Sequence, residues 1–160
     1  MTAAEDLTRE ALRLGRNAGP HLLQDWYLAG RLTTDDLRSV ICEVWSSAEY
    51  PQQHLRLVDW VDMFRRAGFV SERGAPAPTE PLTVYRGATW GRRRGMAWTT
   101  DEAMAEWFAS RWRGVTDGET YVFTVNVEPA AVLAFCDADD GRGESEVVVD
   151  PFMLPPVRRP

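Results

Sequence analysis

Lysine is absent from this chain: all 18 basic residues are arginine. The bias fits a GC-rich coding sequence, and it removes the amine that a Schiff base or an amine nucleophile would need. Cysteine is scarce. Cys42 and Cys136 stand far apart, no Cys-x-x-Cys pair exists, and His21 and His54 occupy an unrelated stretch. A structural zinc site is therefore not expected, and no metal is implied. Two such thiols fit a reducing, cytoplasmic setting. No apolar run approaches ~18 residues, so no transmembrane helix is expected. The acidic, polar opening MTAAEDLTRE does not read as a secretory signal. Positive charge is also in deficit: the formal net charge is −6 and the pI about 5.0. Phosphate backbones need a basic face, so nucleic acid is not an expected partner, and with no apolar span neither is a membrane.

What is present is one domain's worth of chain with an ordinary apolar fraction and seven tryptophans, enough aromatic surface for a core or a stacking platform. Up to about Ser71 the pattern is helical. A first polar helix carries Leu7, Leu12 and Leu14. Pro20 can open a second, His21 to Ala29, which Gly30 ends. Thr33-Thr34-Asp35-Asp36 reads as an N-cap with an acidic first turn. Leu37, Val40, Ile41, Val44 and Trp45 follow at helical spacing. Pro51 starts a further helix whose apolar face is Leu55, Val58, Trp60, Val61 and Phe64, closed by Gly68.

Arg73 to Pro81, with three prolines in six residues, is a linker or extended connection. Beyond it the texture changes to short strands at Leu82–Tyr85, Met96–Thr99, Thr120–Val127, Val132–Phe135 and Glu146–Val149. They are separated by one helix, Asp101–Trp112, and a polar loop, Asp137–Gly143. Strands this closely spaced exclude a doubly wound parallel sheet and indicate an α+β class.

Three pieces of the second half carry chemistry. Tyr85-Arg86-Gly87 sits at a strand end, where an arginine can present a planar fork of donors to phosphate and a glycine lets a ligand approach the backbone. Read alone, it is also an ordinary strand end facing water. Ala97-Trp98-Thr99-Thr100-Asp101 runs into a helix with Ala105, Phe108 and Ala109 on one face. Its hydroxyls could orient a carboxylate or simply cap the helix. Glu144-Ser145-Glu146 enters the apolar run Val147–Val149. In a strand, residues i and i+2 share a face, so the two carboxylates would lie together with Ser145 opposite. Such a pair marks either a solvated edge or a working site.

In this order the three pieces resemble the mono-ADP-ribosyltransferases of the arginine–serine–glutamate type, over roughly Leu82 to Pro151. That family has an Arg on its first core strand, a Ser-Thr-Ser-like element before a helix, and a Glu-x-Glu on a later strand. The string GRGESEVVVDP is the most specific part. The resemblance implies an α+β fold with an N-terminal helical lobe packed on a small split β-sheet core. Residues 1–160 then form a single domain, with the lobe at 1–72 and the NAD-binding core at 82–155. It also implies NAD as substrate. Glu146 would be the carboxylate that drives cleavage of the nicotinamide–ribose bond, and Glu144 would orient or deprotonate the acceptor. Arg86 would hold the pyrophosphate and Gly87 would offer backbone groups to the nicotinamide amide. Phe108 or Trp107 would wall the pocket, although helical spacing reads both as core. Ala97 stands where the family has its first serine, which leaves Thr99 or Thr100 to hold the glutamate.

The activity implied is transfer of ADP-ribose to an intracellular macromolecule, most simply a protein, by a toxin-like effector or a phage-encoded modifier. An NAD glycohydrolase and a catalytically inactive binding protein are the alternatives. The acids Asp137, Asp139 and Asp140 either attract a basic target or are a solvated loop. A further reading makes Leu37 to Phe64 a helical interaction module.

Overall fold

The computed structural model describes residues 1–116, 118–137 and 145–160. They form two compact units, Met1–Val70 and Ser71–Pro160.

The first unit is helical. Helix α1 (Ala3–Leu14) opens with a capping box in which Thr2 and Glu5 satisfy each other's backbone N–H. It buries Leu7 and leaves Leu12 in water. Helix α2 (Gly19–Leu28) carries Pro20 in its first turn, where a missing N–H costs nothing. Helix α3 (Thr34–Ser47) has a second reciprocal cap. Asp36 N donates to Thr33 Oγ1 at 3.1 Å, and Thr33 N donates to Asp36 Oδ2 at 2.9 Å. The Thr33 hydroxyl, donating to Asp36 Oδ2 at 2.7 Å, and then the Thr33 N–H hold the Asp36 carboxyl below its ordinary pKa. Leu37, Val40, Ile41, Val44 and Trp45 are all buried, as their spacing predicts.

The helix expected from Pro51 to Gly68 is two helices. A single turn, α4 (Pro51–His54), stops at Leu55, which is extended (φ −130°, ψ 158°), and α5 runs Leu57–Ala67. The break turns Leu55 into the core, and Trp60 Nε1 donates across it to the Pro51 carbonyl at 2.9 Å. The apolar face shifts accordingly. Trp60, Met63, Phe64 and Ala67 are buried, whereas Val58 is 49% exposed. Trp45 meets Trp60 and Phe64 edge-on, with centroids 5.0 and 5.6 Å apart. In this unit Trp45 and Trp60 are core rather than a stacking platform.

The strands form one six-stranded sheet in the order β1-β5-β6-β3-β2-β4. They are β1 (Val70–Ser71, at the junction of the units), β2 (Leu82–Thr89), β3 (Ala97–Thr99), β4 (Thr120–Val127), β5 (Val132–Phe135) and β6 (Glu146–Val149). The pairings β2–β3, β2–β4, β3–β6 and β5–β6 are antiparallel. The α+β class is therefore as expected. Helix α6 (Glu102–Arg113) is capped by Asp101, whose side chain accepts from Ala103 N and Met104 N. Strand β2 is twice as long as the sequence suggested, so Arg86 and Gly87 lie inside the strand and not at its end. The reason is β4, whose alternating residues pair with β2 along its full length, from Leu82↔Val127 to Thr89↔Thr120. Among the described residues no helix is long and apolar enough to cross a membrane. Both cysteines are buried and neither is a free thiol, so they lend no support to a reducing compartment.

Candidate functional site

Three adjacent strands of the second unit carry the three sequence pieces. In the order β6-β3-β2, Glu146 lies opposite Thr99, and Thr99 lies opposite Tyr85. Directly opposed residues on antiparallel strands point to the same face, so Tyr85, Thr99 and Glu146 form one row on one side of the sheet. Helix α6 covers that same side. A Cβ placed on Gly87 would stand 2.1 Å from the Ala105 carbonyl oxygen and 2.5 Å from Ala109 N. Thr120, opposite Thr89, donates its hydroxyl to the Ala109 carbonyl at 2.8 Å. Phe108, half-buried on α6, thus belongs to the same side of the sheet as Glu146. Trp107 is 52% exposed, against the expectation of a core residue. It is two residues, about 200° of helix, from the Ala105 and Ala109 face.

Gly87 has a different use from the one its sequence suggested. Helix backbone, not a ligand, approaches it closely, and only a residue without Cβ allows α6 to lie there.

Arg86 alternates with Tyr85 and Gly87, so it starts on the opposite face, with Val84, Ala88 and the opposed Phe123. Its guanidinium enters the gap where β2 and β3 cease to pair, since Tyr85↔Thr99 is the one register position they share. There Nη1 donates to the Ala97 carbonyl at 2.7 Å and Nε to the Arg92 carbonyl at 3.0 Å. Burial pulls the Arg86 pKa down to about 10; the charge of Glu146 opposes that fall and Arg92 adds to it. Arg86 remains a cation through the physiological range. Nε and one N–H of Nη1 are thereby committed to protein carbonyls. Ala97, the departure from the serine pattern, contributes its carbonyl to this brace.

Of the two candidate hydroxyls, Thr99 is the one on the residue opposite the glutamate. Thr99 is buried and in register with Glu146, while Thr100 is exposed. Thr99 Oγ1 accepts from Asp101 N at 3.0 Å, which holds its side chain against the start of α6. Thr100 has a backbone role: its N–H donates to the Ser145 carbonyl at 3.3 Å. Trp98 is core, with Nε1 donating to the Gly95 carbonyl at 2.9 Å.

Glu144, Asp139 and Asp140 lie outside the described residues. The strand alternation expected to pair the two carboxylates does not extend back from Glu146. Strand β6 begins at Glu146, and Ser145 has φ +48°, a left-handed residue that breaks the alternation.

Asp137 was read as a residue that attracts a basic partner or is merely solvated. It is half-buried, and among the described residues its enclosed Oδ1 has no hydrogen-bond partner. Desolvation raises its pKa, against the opposing charge of Arg73. A raised carboxyl pKa means that the folded state prefers the protonated form. Stability is then lost as pH rises from the unfolded value through the folded one. Asp137→Asn should therefore raise the melting temperature at pH 7 relative to wild type, with the difference vanishing at a pH below the model-compound carboxylate range. Thermal melts of the two proteins against pH check this. An equal difference at every pH would show that charge is not the cause.

The sequence reading did not find the second arginine of the site. Arg92 is exposed, its carbonyl receives Arg86, and its guanidinium lies 5.6 Å from the Trp112 ring centroid. The run Arg92-Arg93-Arg94 was its only signal. The other two arginines are used locally. Arg93 stacks on Trp90 at 3.8 Å, and Arg94 donates to the Pro151, Leu154 and Pro155 carbonyls, which ties down the C-terminal segment.

No protein-family model, curated protein or solved structure matches the chain. The functional reading therefore rests on these residues alone.

Proposed function

We propose that the protein is an NAD-dependent ADP-ribosyltransferase that cleaves the nicotinamide–ribose bond and transfers ADP-ribose to a macromolecular acceptor, most simply a protein. The observation that carries the reading is the strand order β6-β3-β2. It sets Glu146 opposite buried Thr99 and brings its charge near the half-buried Arg86, although the sequence separates these residues widely.

The chemistry asks little of the protein. The C1′–N bond breaks, its electron pair leaves with nicotinamide, and the ribose passes through an oxocarbenium-like state. The acceptor then forms a new bond to C1′ and gives up a proton. Glu146 stabilises the developing positive charge and accepts a hydrogen bond from the ribose hydroxyl beside C1′. Thr99 fixes that carboxylate. Arg86 and Arg92 supply positive charge for the pyrophosphate, so binding far from the breaking bond serves orientation. Phe108 walls the nicotinamide side. Glu144 is assigned to the acceptor, on the resemblance alone.

The test is to incubate the purified protein with NAD⁺, with and without a cell lysate, and measure free nicotinamide. Release that needs lysate is expected, and marks a transferase with a macromolecular acceptor. Release without lysate marks hydrolysis or self-modification. No release in either case, with no NAD⁺ binding by calorimetry, overturns the reading.

A further inference from the structure

Two described residues other than glycine have a positive φ: Tyr50 at 51° and Ser145 at 48°. Tyr50 is the residue before Pro51, at the start of α4. Ser145 has no such setting. It is the residue before Glu146, where an extended conformation would simply lengthen β6. Left-handed backbone is unfavourable for an L-residue with a Cβ and persists where the surroundings determine it. Here the surroundings are visible. The Ser145 carbonyl accepts from Thr100 N at 3.3 Å, and the next residue, Glu146, sits opposite Thr99. The Ser145–Glu146 link is thus fastened to Thr99, the last residue of β3, and to Thr100 just after it. Glu146 becomes the first residue of β6 and not an interior one.

We propose that Ser145 is a positioning residue. Its left-handed backbone, clasped by Thr100, sets the direction in which the Glu146 carboxylate leaves the end of β6 toward Thr99. This rests on the reading of Glu146 as the carboxylate of the reaction. The device works through φ and not through the hydroxyl, so glycine can stand in for serine, whereas β-branched valine, which strongly disfavours a positive φ, cannot.

The experiment compares wild type, Ser145→Gly and Ser145→Val by kcat and KM for nicotinamide release, and by hydrogen exchange at the Thr100 amide. The kcat of Ser145→Val should fall on the order of 10²-fold, as for other small misplacements of a reacting group, with KM for NAD⁺ changed less than about threefold. Ser145→Gly should exceed it by about tenfold or more. The Thr100 amide should exchange faster in the valine variant than in the other two, while β4 amides stay protected in all three. A valine variant with wild-type kcat and a protected Thr100 amide overturns the proposal; so does a glycine variant as impaired as the valine one. If wild type releases no nicotinamide, the assigned reaction fails, and the amide alone decides. Faster exchange confined to the valine variant upholds the backbone clasp, and equal exchange in all three overturns it.

Discussion

Glu146→Gln is expected to lower the rate of nicotinamide release by on the order of 10²–10³-fold, with KM for NAD⁺ changed by no more than a few-fold. The substitution keeps the shape of the side chain and its place opposite Thr99, and removes only the charge. An interaction that matters when positive charge develops on the ribose acts in the transition state, so its loss appears in kcat and leaves KM largely alone. A second consequence separates this reading from a structural one. Glu146 is the negative charge that offsets the burial of Arg86. Neutralising it leaves a half-buried cation with less compensation, so the variant should also melt at a slightly lower temperature. Thermal melts and steady-state kinetics on the same preparation test both. Wild-type kcat in a folded Glu146→Gln variant would remove Glu146 from the chemistry. A lowered melting temperature alone would leave it as the partner of Arg86.

The largest effect on stability is expected from Gly87→Ala. The added methyl would meet main-chain atoms of α6, Ala105 O at 2.1 Å and Ala109 N at 2.5 Å. Helix backbone cannot turn aside as a flexible side chain does, so α6 must lift from β2. It is tied there by the Thr120 hydroxyl on the Ala109 carbonyl and by the buried Ala105 and Ala109. Overpacking of this kind costs about 3 kcal/mol or more. Denaturant unfolding monitored by tryptophan fluorescence measures it. A loss below about 0.5 kcal/mol, within the range of ordinary surface substitutions, would mean that α6 does not lie against Gly87 as described. Any loss of NAD turnover in this variant would follow from the displacement of α6 and Phe108, since Gly87 itself is covered by the helix.

Much of the architecture was legible in the chain, for reasons that differ from place to place. Thr33 and Asp36 announce α3 because a cap is a contact over three residues. Thr120–Val127, Val132–Phe135 and Glu146–Val149 have the limits read from their alternation and their turn residues. The break at Leu55 was not legible, since Pro51 to Gly68 keeps a helical rhythm through it, and burial of Leu55 outweighs one lost turn of helix. The full length of β2 was hidden for a similar reason. Gly87 and Ala88 have little strand propensity of their own, and pairing with β4 supplies what propensity does not.

By itself, the sequence determined the α+β class, the capped helices, most of the strands, and which residues could do chemistry. These are properties of local hydrogen bonding and side-chain period, which a short window of chain contains. Only the tertiary structure decided which of those residues meet. The order β6-β3-β2 sets Thr99, not Thr100, opposite Glu146, and the gap between β2 and β3 turns Arg86 into a half-buried brace on the Arg92 and Ala97 carbonyls. The approach of α6 assigns Gly87 to packing, and the clasp between Thr100 and Ser145 fixes where β6 begins. Each depends on strands or a helix distant in sequence coming to lie side by side, and no local pattern records which partner a strand edge will take.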